Sequence, residues 1–305
     1  PRSLRCVGLG MKDLVVEAFD QADLVICIGY DMVEWSPSHW NKGHQRKVIH
    51  IDTAPAEVDQ DYMPEVELVG NLNVILREMI ARLGSEHQKD PKLFATLRAK
   101  ITEDLSAYDN DSGFPMKPQK ILHDTRDVLR DEDVLVSDVG AHKMWVARHY
   151  PTYQSKTCFI YNGFCPMGGS MSAAIMSQWL HPEKNTVVVI GDGGFVMSIQ
   201  ALVTAVQYKA PITVLLWEDD HYGLIKWKQE MAFHQTSHID LDNPDLVELS
   251  QAFGCHSERI ESVDGFKPAL KAALARQDKP SVLVIPVDYR ENMKLYEHLG
   301  DIVSH

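Results

Sequence analysis

The stretch Gly191–Gly223, GDGGFVMSIQALVTAVQYKAPITVLLWEDDHYG, decides the fold reading. An apolar β-branched run, Thr186 to Ile190, ends in Gly191-Asp192-Gly193-Gly194 and feeds a segment of helical periodicity. A second apolar run, Ile212 to Trp217, ends in Glu218, Asp219 and Asp220. Two neighbouring parallel strands would deliver Asp192 and Asp219 to the same sheet edge, where open α/β folds bind ligands. Glycines at the first tip let backbone N–H groups approach a phosphate, and a helix N-terminus adds a favourable dipole. Two carboxylates can there hold a hard cation such as Mg2+ that bridges the phosphates. The pattern predicts a metal-diphosphate site. GDG alone reads better as a strand-to-helix turn with a capping aspartate and a solvated acidic loop, since short motifs match by chance. What favours the site is that both acidic tips follow apolar strands separated by one helix.

Working outward, the region after about residue 118 alternates helices and strands. Helices are expected over 118–130, 141–149, 168–180, 197–208, 222–230, 244–253 and 264–276. Strands are expected over Val134–Ser137, Thr157–Tyr161, 186–190, 212–217 and Ser281–Val287. About six strands with right-handed crossovers make one α/β parallel sheet flanked by helices. Upstream, helix 13–20, strands Asp23–Tyr30, Lys47–Asp52 and Val66–Val69, and a helix from about Leu72 to Leu83 form a smaller, partial α/β region. Between them the composition turns polar, with a helical stretch near 91–107. The expected division is 1–84, a linker over 85–117, and 118–305.

A chain of 305 residues with 45% hydrophobic and 24% charged residues is of ordinary globular composition. A net charge of -13 argues against nucleic acid or an anionic membrane as partner, and no apolar run has the length of a span. Five scattered cysteines without a CxxC pair fit reduced thiols in a cytoplasmic protein, and the 14 histidines show no zinc spacing. Gly8-Leu9-Gly10 lacks both a preceding strand and a glycine at Asp13, which excludes a dinucleotide fingerprint. The sequence starts at Pro1 and turns apolar at once, so it is expected to be the interior of a longer polypeptide.

Two further tips follow strands. In SDVGAHKMW (137–145), Gly140, Ala141 and His142 open a helix that either caps a turn or cradles a second phosphate. In NGFCPMGG (162–169), Met167 precedes Gly168 and Gly169; it is either core filler or an exposed prop beside a ring-shaped ligand.

Taken together, these residues resemble the thiamine-diphosphate-dependent enzymes. Asp219 stands 27 positions after Asp192, and SDVGAHKMW, NGFCPMGGSMSAAI, WEDDHYGLIKWKQ and PVDYREN are similar to acetolactate synthases of the catabolic type. Upstream, ADLVICIGYDMVEWSPSHWN and VIHIDTAPAEVDQDYMPEVELVG resemble their middle domain. The resemblance runs collinearly over nearly the whole chain and covers the C-terminal half of a family member. It implies thiamine diphosphate and Mg2+ as cofactors, with Asp192, Asp219 and the main-chain carbonyl of His221 as metal ligands. Gly140, Ala141, His142, Gly191, Gly193 and Gly194 would surround the diphosphate. Met167 would prop the bent cofactor, Gly168 would contact the aminopyrimidine, and Tyr222, Gly223, Leu224 and Ile225 would line the pocket.

The implied reaction decarboxylates pyruvate and condenses the resulting enamine with a second 2-keto acid, giving acetolactate and CO2. Lys228 stands where catabolic relatives tend to have Gln and biosynthetic ones Trp, at the acceptor end; it is either an ordinary solvated helix residue or a cation that suits a carboxylate acceptor. Ala201 replaces a carboxylate common in relatives. A simple 2-keto acid decarboxylase and a non-catalytic cofactor-binding subunit are the alternatives. The family's pyrimidine-binding domain, with its glutamate, has no counterpart here. It would come in cis or from a neighbouring subunit of a homodimer or homotetramer, and the chain alone is expected to be inactive.

Overall fold

The computed structural model describes residues 3–6, 14–83 and 94–292. They fall into two compact units that meet in sequence between Asp104 and Leu105, inside the stretch expected as a linker.

The first unit holds α1 (Val16–Asp20), β1 (Leu24–Ile28), β2 (Lys47–Asp52), β3 (Val66–Val69) and α2 (Leu72–Leu83), followed by α3 (Ala95–Ser106), whose last two residues fall past the division. Its three strands are all parallel, in the order β1-β2-β3. Trp40, Val48, Tyr62 and Cys27 form its small core, with Phe19, Tyr30 and Trp35 packed against them. The expected helix start at Asp13 and the residues 91–93 lie outside the described residues.

The second unit contains α4 (Pro118–Val128), β4 (Val134–Ser137), α5 (Ala141–His149), β5 (Cys158–Ile160), α6 (Gly169–Leu180) and β6 (Thr186–Gly191). It continues with α7 (Asp192–Ser198), α8 (Ala201–Gln207), β7 (Thr213–Glu218), α9 (Gly223–Phe233), α10 (Leu246–Ala252), β8 (His256–Arg259), α11 (Val263–Ala275) and β9 (Ser281–Pro286). The six strands form one parallel sheet in the order β5-β4-β6-β7-β9-β8. Helices on both faces bury β4, β6, β7 and β9, which explains their continuous Val, Ile and Leu runs. Val188, Ile190, Val214, Leu216, Val282 and Val284 meet Met171, Phe195 and Leu202 in the core.

Two elements depart from expectation. The helix expected over 197–208 is two helices, because helical backbone begins at Asp192 itself and breaks at Ile199–Gln200. β8 carries no apolar pattern; its His-Ser-Glu-Arg sequence pairs through the backbone with β9 at the sheet edge, and the Arg259 guanidinium pairs with Glu218. Periodicity cannot reveal such a strand.

The chain passes from β4 to β5 on one side and then crosses back over β4 to β6 on the other, so the C-terminal ends of β4 and β6 flank a topological switch point. The tips carrying Asp138, Asp192 and Asp219 stand side by side there. Among the described residues no helix is long and apolar enough to cross a membrane, and none of the five cysteines is disulfide-bonded.

Leu216, fully buried at the centre of β7, tests this core. Leu216→Ala should lower unfolding free energy by about 2–5 kcal/mol, read from urea denaturation. A loss under about 1 kcal/mol would mean that β7 is not packed as described.

Candidate active site at the switch point

β6 and β7 run parallel with Gly191 opposite Trp217. Asp192 follows the last residue of β6 and Asp219 follows Glu218, the last residue of β7, so both leave the same edge of the sheet on adjacent strands. Asp192 is buried. Its Oδ2 accepts from the Asp220 amide at 2.7 Å, the Asp219 amide at 3.3 Å and Asn243 Nδ2 at 2.9 Å, while Oδ1 accepts from the Gly193 amide at 2.8 Å. Burial nevertheless raises its pKa, more than these donors lower it. Asp219 is pushed up to about 8, first by burial and then by the nearby Asp192 charge; Lys226 and the His221 amide offset this only in part. Two carboxylates that resist joint ionisation, in a desolvated crevice, are the donor set a divalent cation would satisfy.

The loop after β7 is pinned from outside. The Tyr222 amide donates to Ile239 O at 2.9 Å and the Leu241 amide to Asp220 O at 2.8 Å. Asn243 Nδ2 spans both tips, reaching Asp220 Oδ1 at 2.8 Å as well as Asp192.

These tips border a cavity of about 190 Å³. From the β4 tip come Gly140, Ala141 and His142; from the β6 tip, Gly191, Asp192, Gly193 and Gly194. From the β7 tip come Asp219, His221, Tyr222, Gly223, Leu224 and Ile225, and Met167 enters from the loop before α6. Gly168 and Lys228 do not border it. The Gly168 amide is turned onto Asp138, and Lys228 is an exposed residue of α9, one turn beyond Leu224.

The cavity wall fits an anion. α5, α7 and α9 all begin at it, and none has a side-chain cap at its N-cap residue. His142 is buried, its pKa lowered by that burial to about 4, and its Nε2 has no hydrogen-bond partner among the described residues. The close approach requires glycine at Gly193, where a Cβ would lie 2.9 Å from the Tyr222 ring.

Three residues at or behind the wall escaped the sequence reading, and of these only Tyr289 borders the cavity itself. Asp138 follows its strand just as Asp192 and Asp219 follow theirs, so the same signal was available for it. Tyr289, beyond β9, borders the cavity against Trp217, and burial raises its hydroxyl pKa well above the usual range. Asn243, in an Asp-Asn-Pro-Asp run, signals only a turn and a helix start. A second cluster, His123, Asp124 and Asp127, is already neutralised: Lys120 lies 2.8 Å from Asp124, and Lys267 lies 3.2 Å from Asp124 and 2.7 Å from Asp127.

Comparison with known proteins agrees with this geometry. Residues 138–285 match the thiamine pyrophosphate enzyme C-terminal TPP binding domain, and residues 1–79 match the central domain of thiamine pyrophosphate enzymes. The chain belongs to the thiamine pyrophosphate enzymes. It is 32% identical to the acetolactate synthase of Bacillus subtilis over 93% of this chain and 49% of that protein. It is equally 32% identical to the catabolic acetolactate synthase of Raoultella terrigena, over 97% of this chain and 54% of the other. The chain thus spans about half the length of the curated relatives it matches. A solved Mycobacterium smegmatis structure, assigned to the thiamin diphosphate-dependent enzymes, superimposes with a TM-score of 0.68 at 23% identity, over 90% of this chain and 50% of that one. It shows the same fold of parallel sheets flanked by helices.

The raised Asp219 carboxyl sets a pH dependence. Folded protein keeps its proton up to about pH 8, whereas the unfolded chain releases it near 3.8. This group's contribution to stability is therefore full below about 3.8 and is lost as pH rises through about 8. In metal-free buffer the urea midpoint should fall from pH 5 to 8, and Asp219→Asn should flatten the fall. A slope unchanged by Asp219→Asn would show that another group governs it.

Proposed function

We propose that this chain is the diphosphate-binding part of a thiamine-diphosphate- and Mg2+-dependent acetolactate synthase that acts on pyruvate. The observation that carries the reading is the pairing of buried Asp192 with half-buried Asp219 beside glycine-lined, uncapped helix starts. Similarity to acetolactate synthases from two bacteria supports the substrate.

In this reading Asp192, Asp219 and the His221 carbonyl would hold Mg2+, and Gly193, Gly194 and His142 would surround the diphosphate, with the Gly193 amide staying on Asp192. When bound, thiamine diphosphate supplies the nucleophilic carbon and the electron sink for loss of CO2 from a 2-keto acid. The protein's task is orientation and exclusion of water. Met167, at the cavity wall, would press on the ring end of the cofactor, and Leu224 and Ile225 would make their part of the wall apolar, which favours a step in which charge is dispersed. In the same reading a pyrimidine-binding domain would face these walls, in cis or from a neighbouring subunit of a homo-oligomer in the cytoplasm.

Calorimetry should find thiamine diphosphate binding that needs Mg2+ and weakens by at least about tenfold in Asp219→Ala. With a pyrimidine-binding domain supplied, pyruvate should yield acetolactate. Acetaldehyde as the sole product would assign a decarboxylase instead, and Mg2+-independent binding would remove the metal role of the two aspartates.

A further inference from the structure

Met167 is held in place by a residue that borders none of the ligand space. α6 starts at Gly169 with Gly168 as its N-cap residue. Gly168 has φ +86°, and a Cβ on it would lie 2.7 Å from Ser198 Cβ, so packing requires glycine there. A glycine has no side chain with which to cap, yet the first N–H groups of this 12-residue helix still need an acceptor.

Asp138, fully buried at the tip of β4, supplies it from 30 residues away. Its Oδ2 accepts from the Gly168 amide at 2.8 Å, and its Oδ1 from the Ser170 amide at 3.1 Å and the Gly168 amide at 3.0 Å. A negative charge at a helix N-terminus is favoured, and charge-assisted bonds of this kind are stronger than neutral ones. Asp138 is itself fixed to the sheet, its amide donating to Val189 O at 2.8 Å. It also packs on the phosphate turn: a Cβ at Gly194 would fall 2.5 Å from Asp138 Oδ2. Its carbonyl accepts from the His142 ring. One carboxylate thus touches the Met167 loop and the glycine turn, while the same residue's main chain holds the histidine.

We propose that Asp138 is a positioning residue that sets the height of Met167 over the Gly193–Gly194 turn. A cofactor anchored on that turn then meets the prop at one fixed distance. The proposal rests on the reading of this cavity as a thiamine diphosphate site.

Hydrogen exchange and cofactor titration test it together, using Asp138→Asn, Asp138→Ala and Met167→Ala. In Asp138→Ala, exchange at the Gly168 and Ser170 amides should rise by about tenfold or more, with Thr186–Gly191 unchanged. Asp138→Asn keeps one acceptor oxygen, so it should lie between Asp138→Ala and wild type; it also serves as the folded variant should the alanine fail to fold. Asp138→Asn should weaken thiamine diphosphate binding, measured with Mg2+ present, several-fold in the wild-type background and hardly at all when Met167 is already alanine. Unchanged exchange at Gly168 and Ser170, acceleration spread equally into Thr186–Gly191, or additive losses with Met167→Ala would each overturn the positioning role. Wild-type protein that binds no thiamine diphosphate would overturn the cofactor reading, and the positioning role with it. Binding intact but insensitive to Asp138 overturns the positioning role alone.

Discussion

Two carboxylates on adjacent strand tips in a crevice with little water repel each other and lose hydration, and the site is organised around that cost. Asp192 is accommodated by four donors, three of them backbone amides from its own and the neighbouring tip. Asp219 sits in the field of Asp192 and retains its proton to about pH 8. A hard divalent cation would resolve the conflict by converting mutual repulsion into shared attraction. Asn243 matters because it ties the loops carrying these groups together, at 2.9 Å to Asp192 and 2.8 Å to Asp220. Without that tie, the spacing between the tips would depend on the strands and on the Asp219 and Asp220 amides that donate to Asp192.

A second conflict sits at the start of α6. Close packing against Ser198 requires glycine at the position where a helix ordinarily takes Ser, Thr, Asp or Asn. Packing prevails there, and the capping function passes to Asp138 on another strand. Such displacement of a local role onto a remote residue makes the loop's placement dependent on the sheet. That dependence suits a loop carrying Met167, which must hold its place although it is partly exposed.

Most of the second unit was legible because its strands are buried on both faces and its tips carry chemistry. Val134–Ser137, 186–191 and 213–218 are apolar runs ended by an acid, and that pattern survives without any knowledge of packing. What was illegible is what backbone pairing or remote partners determine. β8 has no apolar residue to announce it. The break at Ile199–Gln200 has no proline or glycine to mark it. Asn243 reaches 51 residues back to Asp192, a distance over which no local rule operates. Asp138 differs, since its position after a strand was visible; only its partners, 30 and 32 residues on, reveal that it points into the protein.

The chain carries a net charge of -13, and its reading as an anion-binding protein has to overcome that field. Mean charge acts through solvent and is screened beyond about 8–10 Å in physiological salt, whereas α5, α7 and α9 bring their uncapped starts to the cavity wall itself. Within one turn of a helix end the dipole acts at short range and with little intervening water. His142 adds a buried imidazole whose lowered pKa, about 4, would rise beside a phosphate, since an adjacent negative charge favours the protonated ring. A cation between Asp192 and Asp219 would turn the most negative point of the wall into a positive one. In the proposed reading the ligand's sign would therefore be set by three helix starts, one histidine and one ion, and the acidic surface beyond them would bear on solubility more than on recognition.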